Sequence, residues 1–553
     1  MVGKPHSPLL KDIRNNLRPR RLALLILVAI LVTCVILWLW GGPATSRAKS
    51  QALQLKNTPV ATADRQHRRR RPATQTITDS IPSTKHEELA TAPVDKETHI
   101  VFLRNAEDYQ RLRDWATANG FDPTGELPRL HALKFSLSAE DFERLTHNSG
   151  IELEEELDSL VSIPDLLNDK YPEWTGYPGP SFGDTYRAFL GVDTENPERG
   201  RGVTIALLDT ALFDHPALEG AKITSLHRQE MSDDAIATHG TAVASILTGN
   251  SGISNAQLLA YDVLDTETGN GSAFDLAAAI VDAVDRGADI ISMSLGTYDD
   301  SLVLQNAVQY ALANQVLLVA AAGNNGVEEV CYPAAYEGVL AVGAIDADGN
   351  VSGFSNYGEG LDLVAPGVGL QVAAPNDEYG YFSGTSAAVP CVAAVLANYL
   401  STNPAVAPAD AYARMLLNCT DTEAPGHDSV SGFGVLDAER LEAQDVSGIH
   451  DAAAAGIILD DETGTITVAA QNTGTETLAK LVLTTEILGV QMVNEFEEVT
   501  PGTIVSAEGT LPSEIWENME NLTIRTNVST PDTEDARSRN QIHRQTFPAP
   551  EVR

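Results

Sequence analysis

Between Val203 and Val342 short apolar runs alternate with helical stretches, and this rhythm limits the folds open to the chain. The runs are Val203–Leu208, Leu258–Val263, Asp289–Met293, Val316–Ala321 and Val339–Val342. Helical patterns at 240–248, 273–286 and 302–314 lie between them. A strand that is apolar on both sides of its pleat has to be covered on both faces, and helical crossovers supply that cover while keeping neighbouring strands parallel. The pattern predicts an α/β architecture, a parallel sheet with helices on both faces. Helical segments at 386–400 and 408–418 close this body near residue 443.

The flanks have other rhythms. Leu22 to Trp40 is a run of 19 residues without a charge, long enough to cross the roughly 30 Å of a bilayer's hydrocarbon. Lys11, Arg14, Arg18, Arg20 and Arg21 precede it, which predicts a cytoplasmic basic tail over 1–21, a transmembrane signal anchor over 22–40 and everything later outside. Cleavage near Gly41–Ala44, giving a secreted protein, is the alternative. Residues 41–97 read as a linker without periodicity, rich in Thr, Ala, Pro, Gln and Arg. Residues 98–162 carry a β-α-β-α-β rhythm, with Ser138 expected to cap the second helix through Asp141. Residues 456–553 return to period two with Asn-, Gly- and Thr-rich breaks, predicting a small C-terminal β-sandwich.

Charge is divided along the chain. The first hundred residues hold 16 Lys/Arg against 7 Asp/Glu, and the remainder holds 21 against 69. So acidic a body repels phosphate backbones, which excludes nucleic acid as a partner. The four cysteines include no CxxC pair, so neither a disulfide scaffold nor a thiolate zinc centre is expected. Cys331, Cys391 and Cys419 are an odd number beyond the apolar run, so within one chain at least one stays unpaired.

Ligand sites of parallel sheets lie at the carboxyl ends of the strands. Asp209 follows the first strand, Asn324 follows the run ending at Ala321, and His239 and Ser386 each open a helix. Any one of them could be an ordinary turn or cap residue. Together they are an acid, a base, an amide donor and a hydroxyl, the parts required for acyl transfer.

Their flanks resemble the subtilisin-like serine proteases (subtilases, peptidase family S8). The resemblance covers residues 200–443 and rests on Ile205–Thr210, His239–Ala244, Ile291–Gly296, Ala321–Asn324 and Gly384–Pro390, with Phe354–Gly358 and Ala365–Val368 between them. Ala211, Ala242, Val389 and Cys391 depart from the family's usual residues, and none removes a reacting group.

The resemblance implies a serine endopeptidase in which Ser386 attacks the scissile carbonyl and His239 carries the proton. Asp209 would orient the imidazole, and Asn324 would hold the oxyanion. Protein or peptide substrates would bind as an added strand, between Ser294, Leu295 and Gly296 on one side and Gly269 and Gly271 on the other. Ala321, Ala322 and Gly323 would wall a primary pocket for an apolar or bulky side chain, with Cys331 at its floor. The short 248–253 loop lacks room for the calcium site common in the family, so no metal and no cofactor are expected. Residues 98–162 resemble an inhibitor-type propeptide by order and position. As such they would be a partner of the protease body, with the acidic run Glu152, Glu154, Glu155 and Glu156 meeting helix N-termini, and would be cut off within 157–185. The other reading is a silent homologue that binds peptides or serves in surface adhesion.

Overall fold

The computed structural model describes residues 97–164, 179–226, 238–266, 268–460, 463–511 and 521–548. The apolar run 22–40, the basic tail and all but the last residue of the expected linker lie outside the described residues.

The N-terminal unit runs β1 (Glu97–Leu103), α1 (Ala106–Ala118), β2 (Gly125–Leu127), β3 (Ala132–Leu137), α2 (Ala139–Ser149) and β4 (Leu153–Leu157). Its four strands form an antiparallel sheet in the order β2-β3-β1-β4. The sequence rhythm missed β2, which is three residues long, and the short 3-10 turn Pro128–Leu130 that follows it. Ser138 caps α2 as expected, accepting from the Asp141 N–H at 3.2 Å. Alternation along β1 sorts its side chains. Val101 and Leu103 pack with Leu112, Leu133, Phe135 and Leu145 beneath the unit's own helices. Ile100 and Phe102 face the other way and join the core of the body.

A short β5 (Leu160–Ser162) leads toward the body, followed after the undescribed stretch by α3 (Tyr186–Phe189). The body comprises β6 (Thr204–Asp209), β7 (Ile223–Leu226), α4 (Thr238–Leu247), β8 (Gln257–Asp262), β9 (Asn270–Ser272), α5 (Ala273–Asp285), β10 (Ile290–Met293), α6 (Leu302–Ala313), β11 (Leu317–Ala321), β12 (Val339–Ile345) and β13 (Leu363–Pro366). The hairpin β14 (Leu370–Ala374) and β15 (Glu378–Phe382) and helices α7 (Thr385–Thr402), α8 (Pro408–Leu417) and α9 (Ala438–Ala443) complete it. Seven parallel strands stand in the order β13-β12-β11-β10-β6-β8-β7. The reversal of strand order around β6 and β10 brings several strand ends together on one edge of the sheet. Helix α7 is long and apolar enough to cross a membrane, but it is buried within the core of this body.

The N-terminal unit docks on α5 and α6. Glu156 accepts from the N–H groups of Leu302 and Val303 at 2.7 and 2.8 Å and from the Ser301 hydroxyl at 3.3 Å, capping α6. Asp158 accepts from the Phe274 N–H at 3.1 Å at the start of α5. Lys134 lies 3.2 Å from Asp275 and 3.6 Å from Asp158. Among the described residues only Glu156 of the acidic run accepts from backbone N–H groups at a helix N-terminus. Glu155 instead pairs with His99 at 2.8 Å, because neighbouring residues of β4 face opposite sides of the sheet, and Glu152, which precedes β4, pairs with Arg104 at 2.5 Å.

Two antiparallel sheets make up the C-terminal unit, β16 (Ala452–Asp460), β17 (Thr465–Asn472) and β20 (Ile504–Thr510) against β18 (Leu478–Ile487), β19 (Val490–Val499), β21 (Asn521–Ser529) and β22 (Ile542–Pro548). Their inner faces share a core that includes Ile457, Ile466, Val468, Leu481, Leu483 and Ile524. Charged pairs tie this sandwich to the body. Arg539 reaches Asp437 at 2.8 Å and also pairs with Glu439, while Arg537 reaches Glu439 at 3.2 Å. At the same junction the Asp421 N–H donates to Gln471 Oε1 at 3.0 Å.

The Asp421 carboxyl is buried and its Oδ2 lacks a protein partner. Burial pushes its pKa up from 3.8 to about 7, against the pull of the Gly426 N–H. Between those values the folded chain keeps a proton that the unfolded chain has lost, so this group makes stability fall as pH rises through that window. Asp421→Asn stays neutral throughout. Calorimetry should place its melting temperature roughly 2 °C above wild type at pH 8, with the difference vanishing toward pH 4.

Candidate active site

Asp209 is the last residue of β6 and is fully buried. Its Oδ1 accepts from the Thr210 N–H at 2.7 Å and lies 2.7 Å from His239 Nδ1. A carboxylate taken out of water needs such donors. The pairing leaves His239 Nδ1 as the protonated nitrogen and Nε2 as the acceptor. His239 enters from the first turn of α4, and Gly240 permits the approach, since a Cβ there would fall 2.4 Å from the Thr210 carbonyl oxygen. The Gly240 N–H donates to Thr210 Oγ1 at 2.9 Å, locking helix to strand. Phe382 at the end of β15 meets the imidazole edge to face with centroids 5.3 Å apart. Sequence reasoning missed this contact because the hairpin carrying Phe382 has no distinctive motif.

Ser386 occupies the first turn of α7, where backbone N–H groups lack intrahelical partners and the helix dipole favours negative charge. Gly384 precedes the turn at φ +135°, a conformation open to glycine. The Ser386 hydroxyl donates to the Ser294 carbonyl at 3.2 Å, while the Ser294 hydroxyl donates to the Ser386 carbonyl at 2.9 Å. His239 Nε2 has no hydrogen-bond partner among the described residues. The hydroxyl and the imidazole are therefore not hydrogen-bonded to each other in this arrangement.

Asn324 lies beyond the end of β11. Its Oδ1 accepts from both the N–H and the hydroxyl of Thr385, at 2.9 and 2.8 Å. With its oxygen occupied, the amide presents Nδ2 as a donor. That donor points at a carbonyl oxygen of the chain itself, Pro164 O, at 3.3 Å.

The stretch 160–164 is an inserted strand. Ser162 and Gly296 exchange two backbone hydrogen bonds, at 3.0 and 2.9 Å, and the Ile163 N–H donates to the Gly269 carbonyl at 3.0 Å. β5 pairs antiparallel with β9, setting Val161 opposite Gly271. Of the two edges expected to hold a peptide, Gly296 on one side and Gly269 to Gly271 on the other thus hold residues 160–163. Ala321, Ala322 and Gly323 lead from the end of β11 to Asn324, with both alanines fully buried. Cys331 donates its thiol to the Ala321 carbonyl at 3.1 Å, and burial pushes its pKa up to about 12, leaving it unreactive. Cys331, Cys391 and Cys419 are all free thiols and all buried. No cluster of His, Cys, Asp and Glu able to hold a metal occurs among the described residues.

A nucleophilic hydroxyl, a base oriented by a buried acid, and an amide donor set on a carbonyl oxygen can together carry acyl transfer. Asn324→Ala should lower kcat on casein about 10²- to 10³-fold, with KM within about twofold, because the donor stabilises charge that develops only in the transition state. Steady-state kinetics on the purified protein measures this.

Comparison with known proteins agrees with the geometry. Residues 200–434 match the Subtilase family, Peptidase S8. The chain is 39% identical over 239 residues to a thermophilic serine proteinase of Bacillus sp. (strain AK1), covering 41% of this chain and 59% of that one. Subtilisin Savinase of Lederbergia lenta is 37% identical over 247 residues, covering 43% of this chain and 90% of that one. The solved prenylagaramide maturation protease PagA is 32% identical, covers 46% of this chain and 96% of that one, and has a TM-score of 0.41. The chain spans less than two thirds of the Bacillus proteinase it matches. On the identity to the Lederbergia protein, nine tenths of whose length it covers, this chain belongs to the subtilase family.

Proposed function

We propose that the protein is a serine endopeptidase, and that residues 97–164 are its N-terminal inhibitory segment, cut from the body in cis. The observation that carries this reading is the placement of Pro164 O on Asn324 Nδ2, beside a hydroxyl and an imidazole whose Nδ1 is held by a buried carboxylate. In the proposed reaction Ser386 attacks the substrate carbonyl while His239 takes its proton and then gives it to the leaving amine. Asp209 keeps the imidazole in the tautomer that leaves Nε2 free to accept. Asn324 and the Ser386 N–H hold the oxyanion. Extended peptides would take the place of residues 160–164, which favours proteins and unfolded segments as substrates.

Glu156 and Asp158 capping two body helices support the segment's role, since they fix how β4 delivers the following chain into the cleft. We further propose that Leu22 to Trp40 anchors the protein in a membrane with the peptidase outside. The apolar length and the basic residues preceding it support this.

Ser386→Ala should abolish both fluorophosphonate labelling and casein hydrolysis while leaving the melting temperature within a few degrees, as a buried hydroxyl loss without a cavity allows. Casein hydrolysis undiminished in that variant would refute the peptidase assignment. The membrane assignment predicts that full-length protein stays with the bilayer on alkaline carbonate extraction, and recovery in the soluble fraction would refute it.

A further inference from the structure

We propose that the junction between the body and the C-terminal sandwich binds a tetrahedral oxyanion, of the phosphate or sulfate class, between Arg440 of the body and Arg537 of the sandwich. Arg440 lies on α9 and Arg537 between β21 and β22, and they are only 7% and 5% exposed. Both line one cavity of about 270 Å³, walled also by Asn418, Gln444, Gly474 and Gly502.

A buried guanidinium needs acceptors for its five N–H bonds and an opposite charge nearby. Arg537 finds part of this within the protein. Its Nη1 donates to Asp451 Oδ2 at 2.9 Å and to the Thr473 carbonyl at 3.3 Å, and its Nε lies 3.2 Å from Glu439 Oε1. Arg440 finds less. Its Nη1 donates to the Cys419 carbonyl at 2.5 Å and to Gln471 Oε1 at 3.3 Å, both of them neutral. Among the described residues no carboxylate stands within 4.0 Å of the Arg440 guanidinium. Asp437 and Glu439 are engaged by Arg539, and Asp451 by Arg537. Asp437 meets only the backbone N–H of Arg440, at 2.9 Å.

The N–H groups left over are Nε and Nη2 of Arg440 and Nη2 of Arg537, which take no acceptor from the described residues. None of these three nitrogens is sealed from solvent, and the cavity that both side chains line can hold their acceptor. Burial lowers the Arg440 pKa and the neighbouring Arg537 charge adds to this, opposed by Asp437 and Asp451 from beyond ion-pair distance. An anion between the two arginines would counter both effects. Guanidinium forks match pairs of oxygens. Here the forks come from two different units, so a tetrahedral oxyanion can serve both, whereas one carboxylate fills a single fork and chloride fills none. At about 30 Å³ per water, the cavity has room for one such ion and several waters. Bound there, the ion would join sandwich to body.

Isothermal titration of sodium phosphate into full-length Ser386→Ala protein in detergent, with ionic strength held constant by sodium chloride, tests the site. That background lacks the hydroxyl nucleophile, so self-digestion does not interfere. One phosphate should bind per chain, saturably, with sulfate competing. Arg440→Gln should weaken binding about tenfold or more, the scale of one charge-assisted hydrogen bond. Gln444→Glu keeps both arginines, sets a negative charge in the cavity wall and should weaken binding as much. Lys480→Gln, on β18 of the sandwich and away from the cavity wall, should leave the affinity unchanged. No saturable binding of phosphate or sulfate overturns the proposal, as does an Arg440→Gln affinity equal to that of the parent. Equal weakening by Lys480→Gln marks diffuse charge attraction and overturns it too. Acetate binding more tightly than phosphate overturns the choice of a tetrahedral ion. Should Arg440→Gln fail to fold, Gln444→Glu decides, and an unchanged affinity there overturns the site.

Discussion

The geometry of the site depends on a carboxylate with no access to water. Asp209 ends the central strand β6 inside the protein, and burial of a charge is tolerated only where fixed donors surround it. Thr210 supplies one donor through its backbone, and its side chain holds the Gly240 N–H. That places α4 where His239 can supply the second. One requirement for solvation thus fixes strand end, helix entry and imbalance between the two imidazole nitrogens. The opposite wall follows similar logic, since the two Thr385 donors leave Asn324 only one way to face.

Much of this was legible in the sequence, for identifiable reasons. The apolar runs reported the parallel sheet because central strands of such a sheet have no polar face to show. Asp209, His239, Asn324 and Ser386 were legible because each stands at a strand end or helix start beside small residues that permit close approach. β7 and the β14–β15 hairpin were not recognised. β7 is a half-exposed edge strand of four residues, and the hairpin mixes Gln, Glu and Tyr with its apolar positions. With the hairpin the contact of Phe382 on His239 was missed as well. The acidic run in β4 was read as a block, although period-two alternation sends neighbouring glutamates to different partners. Orientation of a hydroxyl lies beyond any sequence pattern, so the bond from Ser386 to Ser294 could be seen only in three dimensions.

The cleft also shows why backbone matters more than side chains in holding the inserted strand. Ser162 and Ile163 are gripped through N–H and C=O groups by glycines on both sides. Those glycines leave no room for a side chain of their own, since a Cβ on Gly296 would lie 2.5 Å from Cys331 Sγ and one on Gly271 would lie 2.4 Å from the Val263 carbonyl.

The two-sided burial of β1 has a consequence for the cleavage proposed for the segment. Ile100, Phe102, Leu127 and Ala132 complete the core of the body and are not part of the segment's own core. Detached, the segment has to show these side chains to water, and a unit of about 60 residues has little stability to absorb that. Its folded form is therefore the bound form. Once it leaves and unfolds, it becomes an extended chain with accessible backbone, the kind of polymer this cleft is shaped to hold. Under the proposed peptidase reading, departure would feed the released piece to the next molecule, and each copy destroyed would be one fewer competitor for the cleft. Activation of a population would accordingly build on itself, with a lag followed by an abrupt rise.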